Sequence, residues 1–128
     1  MDFDALCFFD KMPQVIPLYE AFAERVRAVC GEVTVRVQKT QISFSNKHNF
    51  AAVSLPIRRV KGWPEICIIV TFGLEYRVSH PRIAVSTEPY PNRWTHHVIV
   101  ENETDIDDLL IGWVKEAYDF SMNKQRRR

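Results

Sequence analysis

Apolar positions recur along this chain first with a helical period and then with a period of two. In PQVIPLYEAFAERVRAVCG, residues 13–31, Val15, Leu18, Tyr19, Phe22, Val26 and Val29 follow the i, i+3, i+4 spacing of a one-faced helix. Pro17 is tolerated only in a first turn, so the helix forms from about there, and Gly31 predicts its stop. LCFF at 6–9 is a short apolar lead-in.

Beyond Gly31 the alternation of strands takes over. EVTVRVQ (32–38) sets valines 33, 35 and 37 against polar neighbours, and QISFS (41–45) sets Ile42 and Phe44 against Gln41, Ser43 and Ser45. SNKHN (45–49) is turn chemistry, and FAAVSL (50–55) predicts a third strand. PIRRVKGWPE (56–65), with two prolines and a glycine, reads as a surface loop. ICIIVTF (66–72) is apolar on both faces, as a central strand would be. Two further strands are predicted, RIAVSTE (82–88) and RWTHHVIV (93–100), with GLEYRVSHP and EPYPN as connections. Thr104 with Asp107 resembles a capping box opening a last helix, whose stripe is Ile106, Leu109, Leu110, Trp113, Ala117 and Phe120 and whose end falls at 121–123.

Helix, strands on short connections, helix: this order predicts an α+β fold, a two-layer sandwich in which a mainly antiparallel sheet carries both helices on one face. A length of 128 residues suits one domain over 1–128, with 123–128 a frayed basic tail. With 46% hydrophobic and 26% charged residues the chain falls in the soluble globular class, away from disordered or fibrous ones. The longest apolar run, Ile66 to Val70, is far too short to span a bilayer, so no membrane partner and a cytoplasmic location are expected. A formal net charge of +1 makes nucleic acid an unfavoured partner and requires any anion site to be local. Cys7, Cys30 and Cys67 form no CxxC pair, and Cys30 and Cys67 are assigned to core space.

Candidate chemistry centres on the adjacent histidines. Strand parity sends Trp94, His96, Val98 and Val100 to one side and Arg93, Thr95, His97 and Ile99 to the other. The first set is the more apolar, so His96 is expected among the helices as a hydrogen-bonded core imidazole and His97 on the open face. The same alternation gives His97 the company of Arg36, Gln38, Gln41, Ser43, Ser45, Arg82, Ser86, Glu88, Arg93 and Thr95. A polar outer face is the ordinary state of such a sheet. Three arginines near short side chains also suit a small phosphate- or carboxylate-bearing ligand, with Arg36, Arg82 and Arg93 holding the negative group, Gln41 and Ser43 orienting it and His97 adding a pH-sensitive contact. Glu88 and Thr95 complete that candidate site.

Two other classes stay open. The loop at 58–63 offers Arg58, Arg59 and Lys61 before Trp63, a combination for nucleic-acid or protein recognition, or else a solvated loop with a plugging tryptophan. A small hydrolase or transferase would draw on Ser43, His97 and Glu88, although no nucleophile elbow, phosphate-binding glycine loop or HExxH helix is present. His48, His80 and His97 lack ligand-like spacing, so no metal and no cofactor are expected. A homodimer through the open sheet face is the remaining arrangement.

The stretches VQKTQISFSNKHNFAAVSLP, FGLEYRVSHPRIAVSTEPYPNRWTHHVIVEN and DIDDLLIGWVKEAYDFS together resemble the bacterial family catalogued as domain of unknown function 5655. The similarity runs from about residue 12 to 122 and is distributed over Lys39, Phe44, Asn49-Phe50, Arg82, the Trp94-Thr95-His96-His97 block and Ala117-Tyr118. It implies a domain extent and carries no activity, cofactor or catalytic residue.

Overall fold

The computed structural model describes residues 3–56 and 61–123. The apolar lead-in forms a helix of its own, α1 (Phe3–Phe8), and a 3-10 turn at Pro13–Val15 leads into α2 (Ile16–Cys30). Pro17 sits in the first turn of α2, where its missing N–H costs nothing. Gly31 ends the helix at φ 80°, a conformation that side chains with a Cβ resist, and donates its N–H to the Arg27 carbonyl at 2.9 Å. Leu18, Tyr19, Phe22, Ala23 and Val26 form the buried face, whereas Val29, in the last turn, is 41% exposed.

Six strands follow: β1 (Thr34–Val37), β2 (Ile42–Ser45), β3 (Asn49–Ser54), β4 (Ile68–Leu74), β5 (Ile83–Tyr90) and β6 (Arg93–Val100). They form one sheet in the order β1-β2-β3-β4-β6-β5, and every neighbouring pair is antiparallel. The expected α+β sandwich is therefore the fold, with the apolar β4 in the sheet interior. The order departs from a simple meander at residues 75–82. Because β4 and β5 both run antiparallel to β6, these eight residues must carry the chain back along the sheet before β5 begins. They pass on the helical side as an extended strap.

The last helix, α3 (Asp108–Asn123), is capped differently from the Thr104–Asp107 box expected. Asn102 and Asp105 form a capping box around a 3-10 turn at Glu103–Asp105, and the Asp107 carboxylate then accepts the Leu110 N–H at 3.0 Å to start α3. Leu110, Ile111, Trp113, Val114 and Ala117 face inward, while Leu109, assigned to that stripe by spacing, is 40% exposed. The core lies between α2, α3 and one sheet face, where Phe22 meets Phe44 edge-on at 5.5 Å and Phe72 stacks beneath Trp113 at 5.7 Å. Cys67 is buried and Cys30 half-buried. Among the described residues no helix is long and apolar enough to cross a membrane.

Candidate functional site

Pleating separates the two histidines as parity requires. His96 is fully buried, stacks on Phe72 with ring centroids 5.0 Å apart, and accepts the backbone N–H of Val78 at its Nε2 atom, 2.9 Å away. Nε2 as acceptor places the proton on Nδ1, and Nδ1 has no hydrogen-bond partner of good geometry. Burial holds its pKa below the ordinary value, against a smaller upward pull from the Phe72 backbone. His97 stands on the other face, half-buried, with Nδ1 2.8 Å from the Thr71 hydroxyl; burial lowers its pKa as well.

On that open face the register places Arg36, Ser43, Ala52, Thr71, His97 and Val85 in one row across the sheet. Ser43 and His97 are three strands apart, about 14 Å at the usual strand spacing, too far for a nucleophile and its base. Ser43 is instead buried between two amides: Gln41 donates to its Oγ at 3.0 Å and the Oγ donates to Gln38. The polar groups of this face largely satisfy one another.

The three arginines do not converge there. Arg36 stays exposed on β1. Arg82 precedes β5, so it follows the strap to the helical side, where it makes two bonds to the Asp107 carboxylate, at 3.0 and 3.1 Å, and one to the Asp105 carbonyl at 2.8 Å. Ser86 also leaves the expected face. A register shift between Ile83 and Val85 pairs Val85 with His97, Thr87 with Thr95 and Ser86 with His96, and Arg77 Nε donates to the Ser86 hydroxyl at 3.3 Å. Glu88 lies in the β5–β6 hairpin, accepting the Asn92 N–H at 3.1 Å.

Arg93, at the first position of β6, escapes the parity of the strand body. Its guanidinium lies 5.2 Å from the centre of the Phe120 ring on α3, and it donates to the Asn92 carbonyl at 3.0 Å. Arg93 and Phe120 both line a cleft of about 380 Å3, where β3 and β6 begin, β4 ends and the last turns of α3 pass. Phe50, Trp94, Tyr90 and Phe120 supply aromatic surface, Asn49 and Thr95 supply polar groups, and Arg93 is the single charged residue of the lining. Among the described residues Arg93 has no carboxylate partner, whereas the neighbouring Asp119 is paired with Lys115 at 2.7 Å.

Of the eight residues expected to share a ligand, the cleft brings Arg93 and Thr95 together; the open face keeps Arg36, Gln41, Ser43 and His97, and Arg82 and Glu88 lie elsewhere. Sequence reasoning missed Phe120 as a cleft wall because helical spacing assigned it to the core, and it missed Thr71, the one polar residue of ICIIVTF, which parity would have paired with a face residue. Within the basic loop, Lys61 is exposed and Trp63 half-buried, and Arg58 and Arg59 lie outside the described residues. His48 is exposed in the β2–β3 turn, His80 packs edge-on against Trp113 at 5.4 Å, and His97 is on the opposite face, so the three do not meet. No group of three or more His, Cys, Asp or Glu able to hold a metal occurs among the described residues.

Residues 7–121 match the family model of a domain of unknown function, DUF5655. Comparison with curated proteins and comparison with solved structures both give no match.

Proposed function

The chain belongs to the DUF5655 family, a domain of unknown function, and we propose that it is a non-catalytic binding domain for a small phosphate- or carboxylate-bearing ligand, seated in the cleft at Arg93. The observation that carries this reading is an arginine lining a cavity otherwise lined by neutral groups, with no carboxylate of the described residues to neutralise it. An anion entering there gains a charge-assisted, two-pronged contact in a partly desolvated setting. Phe120 restrains the guanidinium plane and so lowers the entropy lost on binding. Thr95 and Asn49 offer hydrogen bonds, and the surrounding rings take an apolar remainder of the ligand.

Binding is favoured over catalysis because the cleft lining contains no carboxylate, imidazole or thiol to move a proton or attack a substrate. The cleft is also a better seat than the open face. There the Ser43 hydroxyl is engaged by Gln38 and Gln41 and His97 by Thr71, so a ligand would have to displace bonds already made.

A thermal-stability screen of the full chain at constant ionic strength tests the reading, with inorganic phosphate, nucleoside monophosphates and aliphatic and aromatic carboxylates as probes. At a hundredfold excess over Kd a true ligand stabilises by about 2.7 kcal/mol. The expected result is a saturable rise in Tm for one probe class that Arg93→Gln abolishes. A rise that persists in Arg93→Gln, or no rise with any probe, overturns it.

A further inference from the structure

The two edges of the sheet are treated differently. β5 is broken by two register shifts and carries Pro89, both of which discourage a further strand from pairing with it. β1 pairs regularly with β2 over all four of its residues, has neither proline nor bulge, and, although α1 packs against it, leaves its outer side without a strand or a backbone hydrogen bond from α1 among the described residues. Along it runs a groove of about 580 Å3 between β1 and α2, floored by Val33, Val35 and Val37 and bounded by Ala23 and Tyr19. Next to Ala5, which also lines it, α1 exposes Leu6 at 47%.

Three charges rim this groove from α2: Glu20, Glu24 and Arg27. None of them is in an ion pair with a described residue. Their order matters. The chain turns back from α2 into β1 within three residues, so the helix runs alongside the strand in the opposite sense, with acidic groups toward one end of the groove and a basic group toward the other.

We propose that β1 pairs antiparallel with β1 of a second copy of this chain, joining two six-stranded sheets across a two-fold axis. That axis sets the two α2 helices antiparallel on the same face, so Glu20 and Glu24 of each copy approach Arg27 of the other. The arrangement is isologous, as a closed dimer requires, and both salt bridges form twice. It satisfies the outward N–H and C=O groups of β1, closes the valine-floored groove and ends the open edge. Arg36 does not obstruct it, because it alternates with Val35 and Val37 onto the opposite face.

The test is sedimentation-velocity ultracentrifugation of the full chain over a wide concentration range. Dimer is expected for the native sequence, and monomer throughout overturns the proposal. Arg27→Glu alone and the Glu20→Arg, Glu24→Arg pair alone should each raise the dimer dissociation constant about tenfold or more, since like charges then meet. An equimolar mixture of these two variants should recover a heterodimer, because every contact in it is again between opposite charges. Misfolding cannot produce that recovery, and failure to recover overturns the two-fold arrangement. Val85→Lys on the β5 edge should leave the dimer unchanged; loss of dimer in that variant places the contact on the wrong edge and also overturns the proposal.

Discussion

The backbone N–H of Val78 ends on the Nε2 atom of His96, 2.9 Å away, and so ties the strap of residues 75–82 to the sheet beneath it. The strap holds no helix or strand of its own, so side-chain contacts must fix it, among them this bond, the Tyr76 hydroxyl donating to Glu116, the edge-on meeting of His80 with Trp113, and the Arg82–Asp107 pair. Replacing His96 with Phe keeps the stack on Phe72 but leaves the Val78 N–H without its acceptor. The expected loss is about 1–3 kcal/mol, the cost of an unsatisfied buried donor, read from urea denaturation. An unchanged midpoint would show that the strap does not depend on this bond.

Acid should weaken the fold before its carboxylates titrate. His96 and His97 both have folded pKa values depressed below 6.5 by burial, so as pH falls past 6.5 the unfolded chain takes up protons first. Their stabilising contribution is complete above 6.5 and is lost as pH falls through the folded values. Charging His96 also removes the acceptor for Val78. Urea midpoints measured from pH 7.5 to 5 should therefore decline, and His96→Phe should flatten part of the slope. A midpoint constant across that range would contradict the assignment.

At the start of α3, Asp107 performs two tasks that substitution can separate. Burial raises its pKa, and the Leu110 N–H and the Arg82 charge more than offset this, leaving it below 3.8. Asp107→Asn keeps an oxygen for the cap and loses the charge; Asp107→Ala loses both. The alanine variant should cost about 1–2 kcal/mol in denaturant unfolding and the asparagine variant less, because the ion pair is partly solvated. Asp107 contributes above pH 3.8, and its share disappears as pH falls through the lower folded value. Equal losses in the two variants would mean that the charge, and not the cap, dominates.

Periodicity made the layers legible: the valine and isoleucine alternations are local, and each strand declares its own buried face. It also separated His96 from His97 correctly, since parity on one uninterrupted strand needs no tertiary information. The arginines failed for a different reason. Arg82 lies just outside its strand, Arg93 is the first residue of one, and Ser86 follows a bulge, so the alternation rule does not reach them. Where Arg82 goes is decided by a carboxylate 25 residues away, and the position of Arg93 by a ring on α3. Partners so distant in sequence leave no periodic trace. The strap was equally hidden, because GLEYRVSHP reads as turn residues whether it closes a hairpin or crosses a strand.

The three cysteines should differ sharply toward a thiol-alkylating reagent, since the thiolate is the reacting species. Cys7 is exposed on α1. Burial pushes the Cys30 thiol up to about 11, with Lys115 opposing, so little thiolate forms at neutral pH. Cys67 is fully buried and its pKa is raised, first by burial and then by Glu101. Iodoacetamide at pH 8, followed by peptide mass spectrometry, should label Cys7 first and Cys30 slowly, with Cys67 modified only through opened molecules. Adding urea below the unfolding midpoint should then accelerate Cys67 in proportion to the opened fraction while leaving Cys7 nearly constant. Labelling of Cys67 ahead of Cys7 in buffer would mean that the residue leading into β4 is not buried.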